Sequence, residues 1–372
     1  MTAQTAQTDT EATPDLLYSE DEDDLRAAVR ALLTDRTDTP AALARAESDT
    51  PYDPELWRSL GAGMDLAGLL VPEKLGGQGA SHREAAVVLE EIGRAVAPVP
   101  YLTSAVVATE VLLALDPEVD EVASLLRELA SGHRTAALVV PFSAGPRSVR
   151  LPETLAGTVS AVADAATADV LLVPTGEGLY AVDATDVAVT PLTPLDLTRP
   201  LAAVTLDGVT GTRLADGEAA LAAVRRGLLA GAGLLASEQL GVAEWCLTET
   251  VTYTRERRQF NRPVGSFQAL KHRMAQLWLE VVSARAAARN AADALATGSP
   301  EAPLAVAVAQ AYCARVAVHA AEECVQLHGG IGMTWEHPAH LYLKRAKSAQ
   351  LALGSTGEHR SAIAELVDLR AP

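Results

Sequence analysis

Four arginines lie within eight residues in the segment 255–262 of a chain that is otherwise acidic. A planar guanidinium group donates two parallel hydrogen bonds to phosphate oxygens, so a diphosphate is the ligand that such a cluster suits. An arginine-rich helix end exposed to solvent explains the same residues equally well from composition alone. The four are Arg255, Arg257, Arg258 and Arg262.

Paired glycines mark a second candidate site at residues 326–336. Gly329 and Gly330 permit close approach of the backbone to a flat ligand such as adenine, and Gln326 supplies a hydrogen-bonding edge. Taken alone, this segment is more simply interpreted as a glycine stop at a helix C-terminus. Ser355 and Thr356 precede the last predicted helix, and helix N-termini attract anions.

Other familiar site motifs are missing from the sequence. It contains no GxGxxG after a strand, no phosphate-binding P-loop, no GxSxG elbow and no HExxH pair. The helical histidines His272, His319 and His328 are interpreted as core or surface residues, so neither a metal site nor a hydrolase triad is expected. The glycine-rich segment 70–79 is interpreted as a tight connection.

Charge and cysteine content narrow the function classes. The chain has 372 residues, with 30 Lys plus Arg against 48 Asp plus Glu, giving a net charge of −18 that repels nucleic acid and anionic membranes. The least polar stretch, residues 227–237, is shorter than the ~20 residues of a membrane span. Cys246, Cys313 and Cys324 lack the spacing of a metal or redox motif. We therefore expect reduced thiols in a cytoplasmic protein.

The elements that position these residues follow the order helices, sheet, helices. Ser19 and Glu22 form a predicted capping box, and helical periodicity follows it. Short Val-, Leu- and Thr-rich runs begin near Thr135, and Ala-rich helical patterns return from Gly217. The predicted fold is mainly α with an embedded antiparallel β-domain. Its predicted divisions are a disordered tail at 1–17, a helical domain at 18–132, a β-domain at 133–215 and a C-terminal four-helix bundle at 216–372.

From about Ser19 onward the chain resembles the acyl-CoA dehydrogenase family of FAD enzymes. The segments 70–79, 238–241, 257–268 and 326–345 carry the resemblance, and the family has the same helices, sheet, helices order. The resemblance implies that Arg257, Phe260 and Gln268 face the diphosphate and adenine side of FAD. It implies that Gln326, Gly329 and Gly330 approach the same FAD from an adjacent subunit. Ser355 and Thr356 match a polar pair that follows the family's catalytic glutamate.

The chain departs from the family pattern where catalysis would occur. The position of the catalytic glutamate, just before Gly354, is Leu353, and an alternative base position used by some members is Gly231. Neither residue can accept a proton, so no catalytic residue is assigned. The segment 139–146 also differs from the family's loop that contacts flavin and substrate. The sequence thus keeps the half of the site that binds the dinucleotide and loses the half that binds the flavin ring.

Three hypotheses follow for the function. In the first, the chain resembles the non-catalytic type of subunit in heteromeric actinobacterial acyl-CoA dehydrogenases of steroid or lipid catabolism. A homologous catalytic subunit in a heterotetramer would supply the base, an acyl-CoA would be the substrate, and an electron-transfer flavoprotein would accept the electrons. In the second, a homo-oligomer uses a relocated base. In the third, a non-redox scaffold has lost FAD. The candidate relocated bases are Glu238, Glu244, Glu336 and Glu358.

Overall fold

The computed structural model describes residues 16–36, 43–45, 47–48 and 52–369. Most of the predicted disordered tail therefore lies outside the described residues. Helices of the N-terminal part pack around one core, and a π-helical segment, Tyr101–Ala108, runs directly into the fourth of them. These helices are α1 (Glu20–Arg36), α2 (Pro54–Gly61), α3 (His82–Ala95), α4 (Thr109–Leu113) and α5 (Asp120–Ala130).

Local signals set where these helices begin. The predicted capping box forms at α1, because the Glu22 backbone N–H donates to Ser19 Oγ and the Ser19 N–H donates to Glu22 Oε2 at 2.7 Å. The same arrangement of Ser81 and Glu84 starts α3. Both pairs satisfy backbone N–H groups that the first helical turn leaves without partners.

Close packing explains a glycine in the segment 70–79. A Cβ at Gly77 would lie 2.1 Å from the Val71 carbonyl oxygen, so no other residue fits there without movement. The neighbouring turn, Glu73–Leu75, is a single 3₁₀ turn that ends at Gly76. These contacts support the interpretation of the segment as a tight connection.

Two sheets form the middle of the chain, as the β-rich pattern predicts. The larger sheet has the order β1-β3-β4-β7 and the smaller β2-β6-β5, with a separate apolar cluster between them. Strands β1 and β3 pair in parallel, whereas the other pairs of both sheets are antiparallel. The strands are β1 (Ala136–Leu138), β2 (Gly157–Ala163), β3 (Val170–Pro174), β4 (Gly178–Asp183), β5 (Ala188–Leu192), β6 (Leu201–Leu206) and β7 (Thr212–Asp216).

Long helices form the C-terminal part, and a two-stranded hairpin lies between the first two. Two of the helices, Gly217–Glu256 and Ala302–His328, are long and apolar enough to cross a membrane by length and composition, contrary to the sequence expectation. Two thirds of the most apolar window of each is buried against other elements, as in the core of a helical bundle. The elements are α6 (Gly217–Glu256), β8 (Arg258–Gln259), β9 (Arg262–Pro263), α7 (Gln268–Ala296), α8 (Ala302–His328), α9 (Ala339–Leu351) and α10 (Thr356–Leu366).

Candidate functional site

The ends of α6 and α8 form the walls of an open groove of about 540 Å³, here called the dinucleotide groove. Arg257 follows the last residue of α6, and Gln326, Gly329 and Gly330 stand at the end of α8. One chain thus brings together two segments that the resemblance assigned to different subunits. Tyr253 also lines the groove, one helical turn before Arg257, and this spacing could have revealed it in the sequence.

A tight hairpin sets the direction of the chain after Arg257. β8 and β9 pair as neighbours, and the two residues between them, Phe260 and Asn261, both have positive φ angles of 49° and 62°. Phe260 is 86% exposed at the tip and contacts Phe267 edge to face. Neither Phe260 nor Gln268 lines the groove, so the structure separates these two predicted residues from Arg257 within the chain.

The floor of the groove is open where the paired glycines lie. An added Cβ at Gly329 or Gly330 would meet no atom within 4 Å, and both glycines are exposed. Gly329 has φ 64° and ψ −135°, a conformation that in practice only glycine adopts. The glycines therefore keep space free rather than allowing protein atoms to pack closely.

Ser355 lines a different cleft, of about 620 Å³, beside the segment 145–148, whereas Thr356 does not line it. Ser355 caps α10: its N–H donates to Glu358 at 2.7 Å, and its hydroxyl accepts from the Glu358 N–H at 3.3 Å. The Thr356 hydroxyl is buried and has no hydrogen-bond partner in the part of the chain that the structure describes. The eight predicted cofactor residues are thus divided between the groove, the start of α10 and the hairpin region.

The two base positions of the family meet in the structure. A Cβ added at Gly231 would lie 3.2 Å from Leu353 Cδ1 and 2.5 Å from a methyl group of Val107. Leu353 is 3% exposed and lines a cavity of only about 20 Å³, too small for an acyl chain. None of the described residues that line this cavity has a carboxylate, and its walls include Leu102, Val107, Val140, Phe142, Leu228 and Leu353.

Backbone hydrogen bonds join the chain at Leu353 to the β-domain side of the cavity. The Leu353 N–H donates to the Phe142 carbonyl at 2.8 Å, and the Gly354 N–H donates to the Ser143 carbonyl at 3.2 Å. The segment 139–146, which differs from the corresponding loop of the family, is therefore hydrogen-bonded to the backbone at the predicted base position. Thr103 is a polar residue of the lining, and its hydroxyl donates to buried Asp164, which does not line the cavity.

Glu238 belongs to a buried ion-pair cluster. Its carboxylate accepts hydrogen bonds from Arg199 at 2.6 Å and from Arg345 at 3.1 Å. Burial raises the pKa of Glu238, but the two guanidinium groups outweigh burial and hold the pKa below its ordinary value. Arg345 also pairs with Asp196 at 2.6 Å. The cluster joins the β-domain to the bundle.

The other three candidate bases also lie away from the cavity beside Leu353. Glu244 accepts from Arg285, and Glu336 is exposed. Glu358 is held by the cap of α10, where the Ser355 backbone N–H lowers the pKa of its carboxyl group. None of the three lines the cavity beside Leu353 and Gly231.

Family models match both helical parts of the chain. The acyl-CoA dehydrogenase N-terminal domain matches residues 19–132, and the acyl-CoA dehydrogenase C-terminal domain matches residues 221–367. The chain belongs to the acyl-CoA dehydrogenase family. The family and fold predicted from the sequence are therefore confirmed, and the chain is a member of a family of FAD-dependent oxidoreductases.

Two of the similar proteins of known sequence come from mycobacteria. Acyl-CoA dehydrogenase IpdE2 of Mycolicibacterium smegmatis is 38% identical over 341 residues, covering 91% of this chain and 96% of that protein. Acyl-CoA dehydrogenase FadE34 of Mycobacterium tuberculosis is 36% identical over 335 residues, covering 85% of this chain but 44% of that longer protein.

Two similar solved structures contain two different chains each. The ChsE4-ChsE5 complex from Mycobacterium tuberculosis has a chain with a TM-score of 0.84 and 28% identity, covering 96% of this chain and all of that one. A variant of the Tcur3481-Tcur3483 steroid acyl-CoA dehydrogenase has a chain with a TM-score of 0.83 and 29% identity, covering 94% of this chain and 98% of that one. Heteromeric assemblies thus occur among the proteins that this chain resembles.

Proposed function

We propose that this chain is the non-catalytic subunit of a heteromeric acyl-CoA dehydrogenase. The observation that carries the proposal is that Leu353 packs against the position of Gly231 and that the apolar cavity beside Leu353 measures only about 20 Å³. General base catalysis needs a proton acceptor within hydrogen-bond reach of the substrate, and neither side chain offers one. A homologous partner with glutamate at either position would supply the base and the substrate pocket.

The dinucleotide groove fits the diphosphate and adenine half of FAD. The exposed Arg257 guanidinium makes no ion pair within the described residues, so its donors are available to a diphosphate. The open floor at Gly329 and Gly330 admits a flat ring, and the exposed Gln326 amide can pair with its edge. These residues would hold the cofactor across a subunit interface.

When bound, FAD supplies a hydride acceptor for α,β-dehydrogenation of an acyl-CoA thioester. This chain's part is positional: Arg257 neutralises the diphosphate charge, and the groove walls orient the dinucleotide. The packed side chains around Leu353 exclude water and substrate from the chain's own catalytic position. A homo-oligomer with one of the four candidate glutamates as base has no support from their placement.

Relatives support a paired assembly. Two similar structures are complexes of two chains, one of them described as a steroid acyl-CoA dehydrogenase. FadE34 leaves more than half of its length unmatched by this chain, enough for a second unit of similar size. We therefore propose a heterotetramer acting on an acyl-CoA of steroid or lipid catabolism, with an electron-transfer flavoprotein as acceptor. The three free, buried cysteines suit a reducing compartment, and we propose the cytoplasm.

The test is to purify the chain alone and together with a homologous chain from the same genome that carries glutamate at either base position. The proposal predicts stoichiometric FAD in the complex and little FAD in the lone chain. Gly330→Val should lower the FAD content of the complex without loss of assembly, because the new side chain fills the groove floor and not the protein core. A colourless complex would favour the scaffold hypothesis. Full FAD content in the Gly330→Val complex would exclude the groove as the binding site.

A further inference from the structure

Three side chains of metal-ligand type converge beside the dinucleotide groove, although they lie far apart in the sequence. Glu249 belongs to α6, His328 is the last residue of α8, and His337 lies in the segment that leads to α9. One ligand atom from each lies within 4.8 Å of the others. A small relaxation of the side chains brings such atoms around a cation with bonds of about 2.0–2.2 Å.

The hydrogen bond of the His328 ring leaves one of its nitrogens available to bind a metal ion. Its Nδ1 lies 2.6 Å from the Cys324 carbonyl oxygen, which can only accept, so Nδ1 carries the ring proton in the neutral imidazole. The lone pair is then on Nε2, which is buried and has no hydrogen-bond partner among the described residues, in a side chain that is 2% exposed. A backbone carbonyl on Nδ1 is the usual partner that orients a metal-binding histidine.

His337 and Glu249 complete a donor set of two nitrogens and one oxygen. His337 Nδ1 accepts a bond of 3.2 Å from the Ala339 N–H, and ligation through either ring nitrogen would replace this contact. Ala339 begins α9 and is fully buried, so losing this acceptor leaves a buried N–H without a partner, a cost that is less than the binding free energy of a structural zinc ion. Glu249 is half-buried and makes no hydrogen bond or salt bridge within the described part of the chain.

We propose that Glu249, His328 and His337 bind one divalent zinc ion, with water as the fourth ligand. Two imidazoles and one carboxylate suit Zn²⁺ better than Ca²⁺ or Mg²⁺, which prefer oxygen ligands. The ion joins three separate segments, and its ligand His328 also lines the dinucleotide groove. Zinc therefore fastens the segment 329–338 to α6 and stiffens one wall of the groove.

The experiment uses the untagged full-length chain, stripped with chelator and titrated with Zn²⁺ and with Co²⁺ as its spectroscopic probe. We expect one ion per chain, a visible Co²⁺ absorption typical of four ligands, and a higher melting temperature with Zn²⁺. Glu249→Gln and His337→Gln should each weaken binding by about 100-fold or more. The matched control is His340→Gln, a histidine of the same region that lies outside the cluster and should bind normally.

Three results would count against the proposal. One is less than stoichiometric binding by the folded wild-type chain. The second is unchanged binding by both ligand variants when their far-ultraviolet circular dichroism matches that of the wild type. The third is equal loss of binding in His340→Gln, since the effect would then follow from disturbance of the segment. Metal content is read without FAD, so this result is independent of the proposed flavin role.

Discussion

Leu353 shows how one residue can keep a structural role without a chemical one. Its φ of 52° lies in the left-handed region, and its N–H bonds to the Phe142 carbonyl. The leucine side chain then fills the space that a carboxylate and substrate would need. In the sequence, the neighbouring Gly354 and Ser355 pointed to this position. The sequence did not reveal how tightly this position is packed, because the packing depends on the distant segment 139–146.

Arg257 offers the sharpest test of the groove at the level of one residue. Arg257→Ala in the complex should weaken FAD binding about 10- to 100-fold, because a charge-assisted hydrogen bond contributes about 1.5–3 kcal/mol. Stability should not change, since the side chain is exposed. FAD affinity measured by fluorescence titration is the readout. Arg258→Ala is the matched control, since Arg258 is equally exposed but does not line the groove. Similar losses in both variants would contradict a specific role for Arg257.

The cluster around His328 could not be predicted from the sequence. Its histidine was interpreted as a core or surface residue, and its burial agrees with part of that interpretation. The convergence of Glu249 and His337 upon it was missed, because ligands from three separate segments leave no fixed spacing. The capping boxes at Ser19 and Ser81 were easier to predict, since both partners lie within one turn.

Between elements, buried ion pairs fasten helix α1 to the bundle. Glu22 is 1% exposed and accepts from Arg289 at 2.7 Å and from Arg83 at 3.1 Å. Burial raises the pKa of Glu22, but the hydrogen bonds from Arg83, Ser19 and Arg289 outweigh burial and hold its pKa at about 2. The charged carboxylate therefore stabilises the fold above pH 4.5, and this contribution is lost as the pH falls from 4.5 toward 2.

We expect Glu22→Gln to lower the free energy of unfolding by about 3 kcal/mol at pH 7, since each unit of pKa difference corresponds to about 1.4 kcal/mol. The difference in the free energy of unfolding between wild type and Glu22→Gln should become smaller as the pH falls below 4.5. Urea unfolding at pH 7, 5 and 3.5 measures it. The control is Glu20→Gln, an exposed carboxylate in the same turn, which should change stability by less than about 0.5 kcal/mol. A difference that stays constant with pH would contradict the account.

Arg345 tests the junction between the β-domain and the bundle. Arg345→Met leaves the buried carboxylates of Asp196 and Glu238 without one of their cations, and we expect a loss of about 3–5 kcal/mol. The control is Lys347→Met, on the same helix as Arg345; it breaks an exposed pair with Glu322 of α8 and should cost less than about 1 kcal/mol. Thermal and urea unfolding provide the comparison. Equal costs would show that the buried cluster does not hold the two parts together.

Prediction of the elements succeeded where the signal was local. The helix at 82–95 and strands β3 and β6 follow directly from residue periodicity. Strand β7 and the parallel pairing of β1 with β3 were not predicted, because strand pairing is decided by contacts between distant segments. The segment Tyr101–Ala108 lies within the predicted helical domain at 18–132, but its π-helical geometry was not predicted.

In the molecule as a whole, half of the predicted cofactor-binding residues lie together at the surface, whereas the two predicted base positions are buried. Four of the eight predicted cofactor residues line one open groove, whereas the base positions face each other inside the protein. The family resemblance had indicated both the cofactor-binding residues and the missing catalytic base from the sequence. It could not place Phe260 and Gln268 outside the groove, because the direction of the hairpin is set by two positive φ angles.

The measurement that tests the central claim most directly is acyl-CoA-dependent reduction of an artificial electron acceptor by the lone chain, the complex, and a complex whose partner base is changed from Glu to Gln. The account predicts turnover by the complex alone, with a loss of about 100-fold or more when the partner's base is removed. Turnover by the lone chain, or by the complex without the partner's carboxylate, would contradict it and place a base among this chain's own residues.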